Sequence, residues 1–416
     1  MRKMIDSGVE WLGAIPQDWD LVQIKSIASC KSEKSSYIGG AYIGLEHIES
    51  GSGKLLADGS QTGIEVDSTV SSFSDTDILF GKLRPYLAKA AKPNFDGQCS
   101  TEILVLNPSS RIQKDFLFWY LLNPAFIDAV NASTYGAKMP RANWNFIGSC
   151  YLPLPPMNMQ TVISSVLNEK FAQVDTLIAN VQAQIEKLKA YKQSLITEVV
   201  TKGLDPTVPI KDSGFEWIGE IPAHWEVKRG KVLFEESDAR SADGSEELLT
   251  VSQYTGITPR SQKNVNMFEA LTLEGYKICD VGDIAANTMW LWAGAIGVSA
   301  YSGVISPSYN VYRQKAENFV PGYLDCLLRA PMLVQEYASR STGIRASRLR
   351  LYPKDFLDIM FPVPPFGEQQ EIMRVLSDKF AAVDKLIAIK ESKIEKLEQY
   401  KKSLIYEYVT GKREVM

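Results

Sequence analysis

Side chains that could carry out catalysis are scarce in this sequence. A chain of 416 residues contains only two histidines, His47 and His224, and its five cysteines have no CxxC spacing. A histidine base, a multi-histidine metal site and a zinc site are therefore disfavoured. The segment GSGKLL at residues 51–56 lacks the spacing and the hydroxyl of a GxxxxGK[ST] phosphate-binding loop. Asp96 and Glu102 approach a carboxylate pair, but stray pairs are usually solvated surface. We predict that the chain has no catalytic centre.

Cations that could bind phosphate are concentrated in one segment. Residues 340–354, RSTGIRASRLRLYPK, carry five cations and no acidic residue. The whole chain has a net charge of −4 and a pI near 5.6, which argues weakly against polyanion binding as its main activity. Binding depends on the local field more than on the total charge. The sequence therefore predicts a local basic patch in its second half.

The elements that position these residues are duplicated. SGVEWLGAIPQDW at residues 7–19 aligns with SGFEWIGEIPAHW at residues 213–225, an offset of 206 (213 − 7 = 206). Residues 153–201 align with residues 362–410 at an offset of 209 (362 − 153 = 209), with about half of the positions identical. The chain is a tandem duplication of a unit of about half its length.

Two dissimilar inserts separate the repeated pieces. Residues 26–150 and 232–360 show little identity to each other. If the repeated segments perform the same function twice and the two inserts perform two related functions, the protein recognises a target with two parts. Ordinary drift after duplication is the alternative.

The second repeated piece predicts two long helices. Residues 160–200 contain no Pro or Gly, and apolar residues recur at steps of three and four, with Lys192 interrupting the seam. The copy near the C-terminus repeats this pattern, so each helix has about 40 residues and a length of roughly 60 Å. Each apolar seam needs a cover. A dimerisation coiled coil would provide one, but two copies in one chain favour pairing within the molecule.

The order of the segments predicts the direction of the helices and the fold class. The first helix runs from the first insert to the second, and the second helix begins where the second insert ends, so the pair is antiparallel. Short β-branched or aromatic runs precede a helical stretch in both inserts. We predict an α+β protein in which two pseudo-symmetric modules are separated by two long antiparallel helices that form a coiled coil. The pseudo-two-fold axis that relates the two modules would match the local dyad of duplex DNA. The domain boundaries are 1–155, 156–204, 205–364 and 365–416.

The ordered set of motifs resembles a known family over nearly the whole chain. The duplicated EWxGxIPxxW segment, the PxPPxxxQ junction, the paired helices and the dissimilar inserts are similar to the DNA-specificity subunit of type I restriction-modification systems. DILFGKLRPYLAKA in the first insert and GDIAANTMWLWAGAIGVSAYSG in the second also resemble its target-recognition domains.

The resemblance implies a non-catalytic subunit that binds double-stranded DNA. Each target-recognition domain would recognise one half of a bipartite, asymmetric sequence, and the helices would set the spacing and dock two methyltransferase subunits. The cofactors would reside in the partners: S-adenosylmethionine for adenine-N6 methylation, and ATP and Mg²⁺ for cleavage by the restriction subunits. No apolar run approaches the ~20 residues of a membrane span, so we expect a cytoplasmic protein without a membrane partner.

The candidate DNA-binding residues are cations, amides, hydroxyls and aromatics in the inserts. Arg can donate two hydrogen bonds to guanine and Asn can pair with adenine, although an Arg in such a loop is as readily a surface ion pair. Tryptophans such as Trp290 and Trp292 are more often core. In the first half the candidates are Lys82, Arg84, Tyr86, Lys138, Arg141 and Asn143, and in the second half Trp290, Tyr309, Asn310, Thr342, Arg345, Ser347, Arg348 and Arg350.

Two other functions remain open at this point. One is a coiled-coil scaffold that joins two protein-recognition domains without nucleic acid. The other is an enzyme with an unrecognised active site. Within the family, the subunit could also serve a system that only modifies DNA.

Overall fold

The chain folds into two compact units that share two long helices. The computed structural model describes residues 2–31, 33–36, 40–56, 69–136, 138–263, 272–343 and 349–415. Unit 1 comprises residues Met1–Gln182 and Lys390–Met416, and unit 2 comprises residues Ala183–Ile389. Each unit contains one α+β module and a part of each long helix. Within the described ranges, no helix offers an apolar stretch of bilayer length.

Unit 1 combines short strands with short helices and the first part of a long one. Its strands are β1 (Met4–Asp6), β2 (Ala14–Pro16), β3 (Asp20–Gln23), β4 (Ala28–Lys31), β5 (Ser35–Ser36), β6 (Tyr42–Ile43), β7 (Thr69–Phe73), β8 (Ile78–Gly81), β9 (Ala90–Ala91), β10 (Gly97–Ser100), β11 (Ile103–Pro108) and β12 (Tyr151–Leu154). Its helices are α1 (Lys114–Leu121), α2 (Pro124–Ala132), α3 (Trp144–Ser149) and the beginning of α4 (Met157–Lys202).

Unit 2 follows the same plan. Its strands are β13 (Ile210–Asp212), β14 (Glu220–Pro222), β15 (Glu226–Arg229), β16 (Phe234–Ser237), β17 (Leu249–Ser252), β18 (Gly256–Pro259), β19 (Lys277–Cys279), β20 (Ile284–Ala286), β21 (Ile296–Val298), β22 (Gly303–Ile305), β23 (Asn310–Gln314) and β24 (Met360–Val363). Its helices are α5 (Gly230–Leu233), α6 (Pro321–Leu328), α7 (Pro331–Arg340), α8 (Pro353–Leu357) and the beginning of α9 (Phe366–Val409).

One antiparallel sheet recurs in the two modules. Its strand order is β4-β11-β8-β9 in unit 1 and β16-β23-β20-β21 in unit 2. The first residue of β20 follows that of β8 by 206 positions, and β23 follows β11 by 207. The helix pairs α1–α2 and α6–α7 are also 207 positions apart. The two inserts therefore follow one chain path, although their sequences show little identity.

Apolar side chains at the predicted strand positions form the module cores. Every residue of β8, the strand in DILFGKL, is buried, as is every residue of β20. The repeated tryptophans Trp19 and Trp225 are buried in the cores of units 1 and 2. Residues 42–48, YIGLEHI, form the short strand β6, which is followed by a 3-10 turn. The strand-rich character predicted for both inserts is confirmed.

The long helices pair in both units, and the lysines that interrupt their seams have partners. In unit 1, the Nζ of Lys401 in α9 lies 2.8 Å from a carboxylate oxygen of Asp175 in α4 and 5.1 Å from the ring centre of Phe171. In unit 2, the Nζ of Lys192 in α4 lies 2.7 Å from Asp384 in α9 and 4.7 Å from the ring of Phe380.

These contacts fix the alignment of the two helices. Each residue of one set lies 209 positions from its equivalent in the other, which is the offset of the sequence repeat. Further along α4, Leu195 and Val199 lie in one buried cluster with Leu376 and Ile372 of α9, so residue numbers rise along one helix as they fall along the other. The prediction of two long antiparallel helices is confirmed.

We expect Asp175→Ala to destabilise unit 1 more than Asp384→Ala destabilises unit 2. The side chain of Lys401 is only 7% exposed, so removal of Asp175 leaves a largely buried cation whose other partner, Glu398, lies 3.5 Å away. The expected loss is about 1–2 kcal/mol. The side chain of Lys192 is 26% exposed, so Asp384→Ala should lower the stability of unit 2 by less than about 1 kcal/mol.

Hydrogen exchange of the helix amides measures the two losses separately, because a chain of two units need not unfold in one step. Equal losses in the two variants would contradict the expectation.

Candidate nucleic-acid interface

A rigid turn carries three of the predicted residues out of the sheet of unit 1. Lys82 follows β8 directly, and Arg84 and Tyr86 lie in the next turn, which includes the 3-10 segment Pro85–Leu87. Arg84 has φ 52° and ψ 63°, a left-handed conformation that is uncommon for a residue other than Gly. Helix α2 packs against this turn. The side chains of Arg84 and Tyr86 are exposed.

A second predicted loop joins this turn. The backbone N–H of Arg84 donates to the carbonyl oxygen of Pro140 at 2.8 Å, and the N–H of Ala142 donates to the carbonyl oxygen of Lys82 at 2.9 Å. Isolated β-bridges connect Arg141 with Leu83 and with Tyr135. These bonds place five of the six candidates of the first half on one surface. We call it the unit 1 surface: Lys82, Arg84, Tyr86, Lys138 and Arg141.

The cations of the unit 1 surface differ in their partners. Arg141 donates from Nε and Nη2 to the two carboxylate oxygens of Glu102, at 3.0 and 3.2 Å. Within the described ranges, Arg84 and Lys138 have no ion-pair partner, and both are exposed. Glu102 therefore orients one arginine and leaves the other cations available. From the sequence, Glu102 was predicted to be a solvated surface residue, because nothing in the spacing indicates that residues 102 and 141 form a pair.

Asn143 has a structural task at the beginning of α3. Its side-chain Oδ1 accepts a hydrogen bond from the backbone N–H of Phe146 at 2.9 Å, which caps the helix. The side chain is exposed, but its acceptor oxygen is already bonded within the protein. Asn143 is therefore close in sequence to the unit 1 surface, and the oxygen atom of its side-chain amide is already bonded to the helix that it caps.

Unit 2 has the equivalent turn with different side chains. We call residues 287–294 the unit 2 turn; it contains the 3-10 segment Leu291–Ala293 and packs against α7. Trp290 is 51% exposed, so it is not a core residue. Its ring stacks on that of Trp292, with centroids 5.7 Å apart and planes 26° apart.

Tyr309 directly precedes β23, and Asn310 is the first residue of that strand. The hydroxyl of Tyr309 accepts a hydrogen bond from Nδ2 of Asn287 at 2.9 Å, and burial raises the pKa of the Tyr309 hydroxyl. The Asn310 side chain is buried in the sheet, with 7% exposure. Tyr309 directly precedes β23, and Glu102 directly precedes the equivalent strand β11. Unit 2 therefore has a phenol at the position where unit 1 has a carboxylate.

The basic loop of the second half closes in the same way as that of the first. Thr342 and Arg350 exchange two backbone hydrogen bonds of 3.0 Å, as Tyr135 and Arg141 form a bridge in unit 1. Arg350 is exposed and has no ion-pair partner in the described part of the chain. The other candidates of this loop, Arg345, Ser347 and Arg348, lie outside the described residues.

The fold and these surfaces define a class of protein that contains two modules of the same topology. Each module presents a turn and a loop at its surface, and the exposed side chains there differ between the two modules. Residues 16–187 match the family model of the type I restriction modification DNA specificity domain. The match identifies a type I restriction modification DNA specificity domain in that part of the chain, and the curated relatives that match nearly the whole chain are specificity subunits of type I restriction enzymes.

Relatives of known type cover the chain to different extents. It is 25% identical to the putative type I restriction enzyme MjaX specificity subunit of Methanocaldococcus jannaschii, over 96% of this chain and 95% of that one. It is 27% identical to the EcoDI specificity subunit of Escherichia coli over 55% of this chain, and it spans only 48% of that protein's length.

Solved structures of low sequence identity share the fold. A chain from a structural study of complex assembly and conformational transition of the type I R-M system has a TM-score of 0.68 at 18% identity, covering 96% of this chain and 99% of that chain. The HsdS subunit of Thermoanaerobacter tengcongensis has a TM-score of 0.52 at 18% identity, covering 96% and 98% of the two chains.

Proposed function

We propose that this chain recognises a bipartite, asymmetric DNA sequence, with one half-site bound by each module, and positions methyltransferase subunits on that target. The observation that carries the proposal is the recurrence of one turn-and-loop framework with unlike side chains. Arg84 and Tyr86 of unit 1 occupy the places of Trp290 and Trp292 in unit 2, at an offset of 206. A repeated framework supports the same task twice, and different contacting groups support different base sequences.

The cations and polar groups of these surfaces suit a DNA duplex. Exposed cations such as Arg84, Lys138 and Arg350 can neutralise phosphates, and Arg141 can present its guanidinium to a guanine edge. Arg141 is already oriented by Glu102, so less side-chain entropy is lost when it binds. A protein-binding scaffold would not need exposed cations in the corresponding loop of both modules, where Lys138 and Arg350 lie.

Catalysis and its cofactors belong to the partners in this proposal. Two methyltransferase subunits would bring S-adenosylmethionine, and restriction subunits would bring ATP and Mg²⁺, on DNA in the cytoplasm. The isolated chain should bind DNA weakly and with strong salt dependence, because the partners supply further phosphate contacts. Assays of the isolated chain with labelled methyl donor or ATP should show no turnover.

The proposal is tested by co-expressing the chain with methyltransferase subunits encoded next to it and mapping methylated adenines by sequencing. One bipartite motif is expected. Exchange of residues 26–150 for the insert of another relative should change one half of the motif and leave the other half unchanged. Methylation without a sequence motif, or a change in both halves after the exchange, would contradict the proposal.

A further inference from the structure

The two modules differ in the charge of their central segment. Residues 284–312, from β20 to β23, contain no Asp, Glu, Lys, Arg or His. The equivalent residues 78–106 of unit 1 contain both cations and acids. The charged residues of that unit 1 segment are Lys82, Arg84, Lys89, Lys92, Asp96 and Glu102. The same framework therefore presents a charged turn in unit 1 and a neutral, aromatic turn in unit 2.

Hydrogen bonds hold the aromatic side chains of the unit 2 turn in place. The side chain of Asn287 accepts from the N–H of Met289 at 3.2 Å and donates to the hydroxyl of Tyr309 at 2.9 Å. The indole N–H of Trp292 donates to the carbonyl oxygen of Met289 at 2.9 Å. Because this indole donor is used internally, Trp292 acts as a fixed support on which Trp290 stacks.

The exposed apolar surface on this support consists of Met289 and Trp290. Both side chains are more than a third exposed. The backbone of Trp290 is anchored, since its N–H donates to the carbonyl oxygen of Asn287 at 3.0 Å and its own carbonyl oxygen accepts from Ala293 and Ala295. An exposed tryptophan on an anchored backbone is arranged for contact rather than for filling a core.

The position of this apolar surface identifies its ligand. The unit 2 turn is equivalent to the turn of Arg84, which is bonded to the basic loop of unit 1. It packs against α7, and α7 leads directly into the bridge between Thr342 and Arg350 that closes the basic loop of unit 2. On the base edges of the major groove, the 5-methyl group of thymine is the apolar feature, so it is the group that an apolar patch on a DNA-contacting turn can bind.

We propose that Met289 and Trp290 recognise a thymine 5-methyl group in the half-site bound by unit 2. The inference deepens the proposed function and rests on it. The two half-sites are then recognised by different chemistry: charge-assisted hydrogen bonds dominate in unit 1, whereas apolar contact with a methyl group is added in unit 2.

The test uses the complex of this chain with its methyltransferase subunits, once the motif has been mapped and the insert exchange has assigned its halves. Each thymine of the unit 2 half-site is replaced in turn by uracil, which lacks only the methyl group. At one position, the affinity should fall about fourfold, the value that corresponds to one buried carbon group. Thymines outside the motif should tolerate the replacement.

The variants Trp290→Ala and Trp290→Phe connect this effect with the aromatic surface. Trp290→Ala should bring the ratio of affinities for the thymine and uracil duplexes close to one, and Trp290→Phe should retain most of that ratio. Phe215→Ala is the matched control, because Phe215 is an exposed aromatic residue in the turn between β13 and β14 of the same unit. It should leave the ratio unchanged.

Three results would overturn the inference. They are a unit 2 half-site without an A·T pair, a thymine-to-uracil ratio that Trp290→Ala does not change, and loss of methyltransferase co-purification in Trp290→Ala. The last result would assign Trp290 to a protein interface. In each case the mapped bipartite motif of the wild-type complex still stands, whereas failure of the proposed function would leave no motif to substitute.

Discussion

Replacement of Lys82, Arg84 and Lys138 together by alanine is expected to lower the affinity of the assembled complex for its target on the order of 100-fold, taking about 1 kcal/mol for each contact. These cations share the unit 1 surface, and none has an ion-pair partner within the described ranges. Where each cation neutralises one phosphate, the slope of log affinity against log salt should fall in magnitude by about 3. Filter binding or anisotropy over a series of salt concentrations measures both quantities.

The control for this variant removes the same charge elsewhere in unit 1. Lys393, Lys396 and Lys402 are exposed on α9, and their joint replacement by alanine changes the net charge by the same amount. Its salt slope should remain close to that of the wild type. Equal slopes for the two triple variants would mean that binding depends on the total charge, and the assignment of the unit 1 surface to DNA would be wrong.

Asp77→Ala is expected to destabilise unit 1 by about 3–5 kcal/mol, the range for breaking a buried, charge-paired group. The Asp77 side chain is fully buried and forms an ion pair with Lys31. Its carboxylate accepts hydrogen bonds from the backbone N–H of Ser74 at 2.7 Å, from the Ser74 hydroxyl at 2.9 Å and from Nδ2 of Asn107 at 2.8 Å. Asp77 directly precedes β8, the strand that leads to Lys82.

The pH dependence of this contribution has a definite sign. Burial by itself would raise the pKa of Asp77, but the hydrogen bonds from Lys31, Ser74 and Asn107 outweigh it and lower the pKa below the usual carboxyl value. The stabilisation is therefore complete above the unfolded pKa of about 4 and declines as the pH falls through the lower, folded pKa. The stability difference between wild type and Asp77→Asn should shrink over that acidic range.

Hydrogen exchange of amides in β8 and β11 reports on unit 1 without requiring the whole chain to unfold in one step. Asp96→Ala is the control, because Asp96 is exposed and its carboxylate accepts a hydrogen bond from the N–H of Asp75. Its cost should be below about 1 kcal/mol. A similar loss for the two variants would show that the buried bonds of Asp77 contribute little.

The long helices and the duplication were predictable because their signals are local or periodic. The apolar seam between residues 160 and 200 requires only a count of steps along the chain, and α4 covers this range from Met157 to Lys202. The strand in DILFGKL was also visible as a short apolar run, and it forms β8. Lys192 was only an interruption in that pattern; its bond to Asp384 depends on the alignment of a helix that lies far along the chain.

The sequence indicated which residues could contact DNA from their chemical type, but it did not indicate their exposure or their partners. Arg84 and Lys138 are exposed as expected, but Arg141 is engaged by Glu102, and Asn310 is turned into the sheet. Trp290 is of a residue type common in cores but is exposed, because backbone hydrogen bonds hold it in a tight turn where its ring stacks on that of Trp292.

The sequence by itself determined the duplication, the helix pair and the resemblance to type I specificity subunits, since each of these is encoded in residues that are close together or repeated at a constant offset. Only the tertiary structure decided the strand order that the two inserts share and that the loops at Arg84 and Pro140 form one surface. Those features depend on hydrogen bonds between strands and loops distant in the chain, which no local pattern specifies. The contrast between a charged turn in unit 1 and an aromatic turn in unit 2 became visible only once that shared framework aligned the two modules.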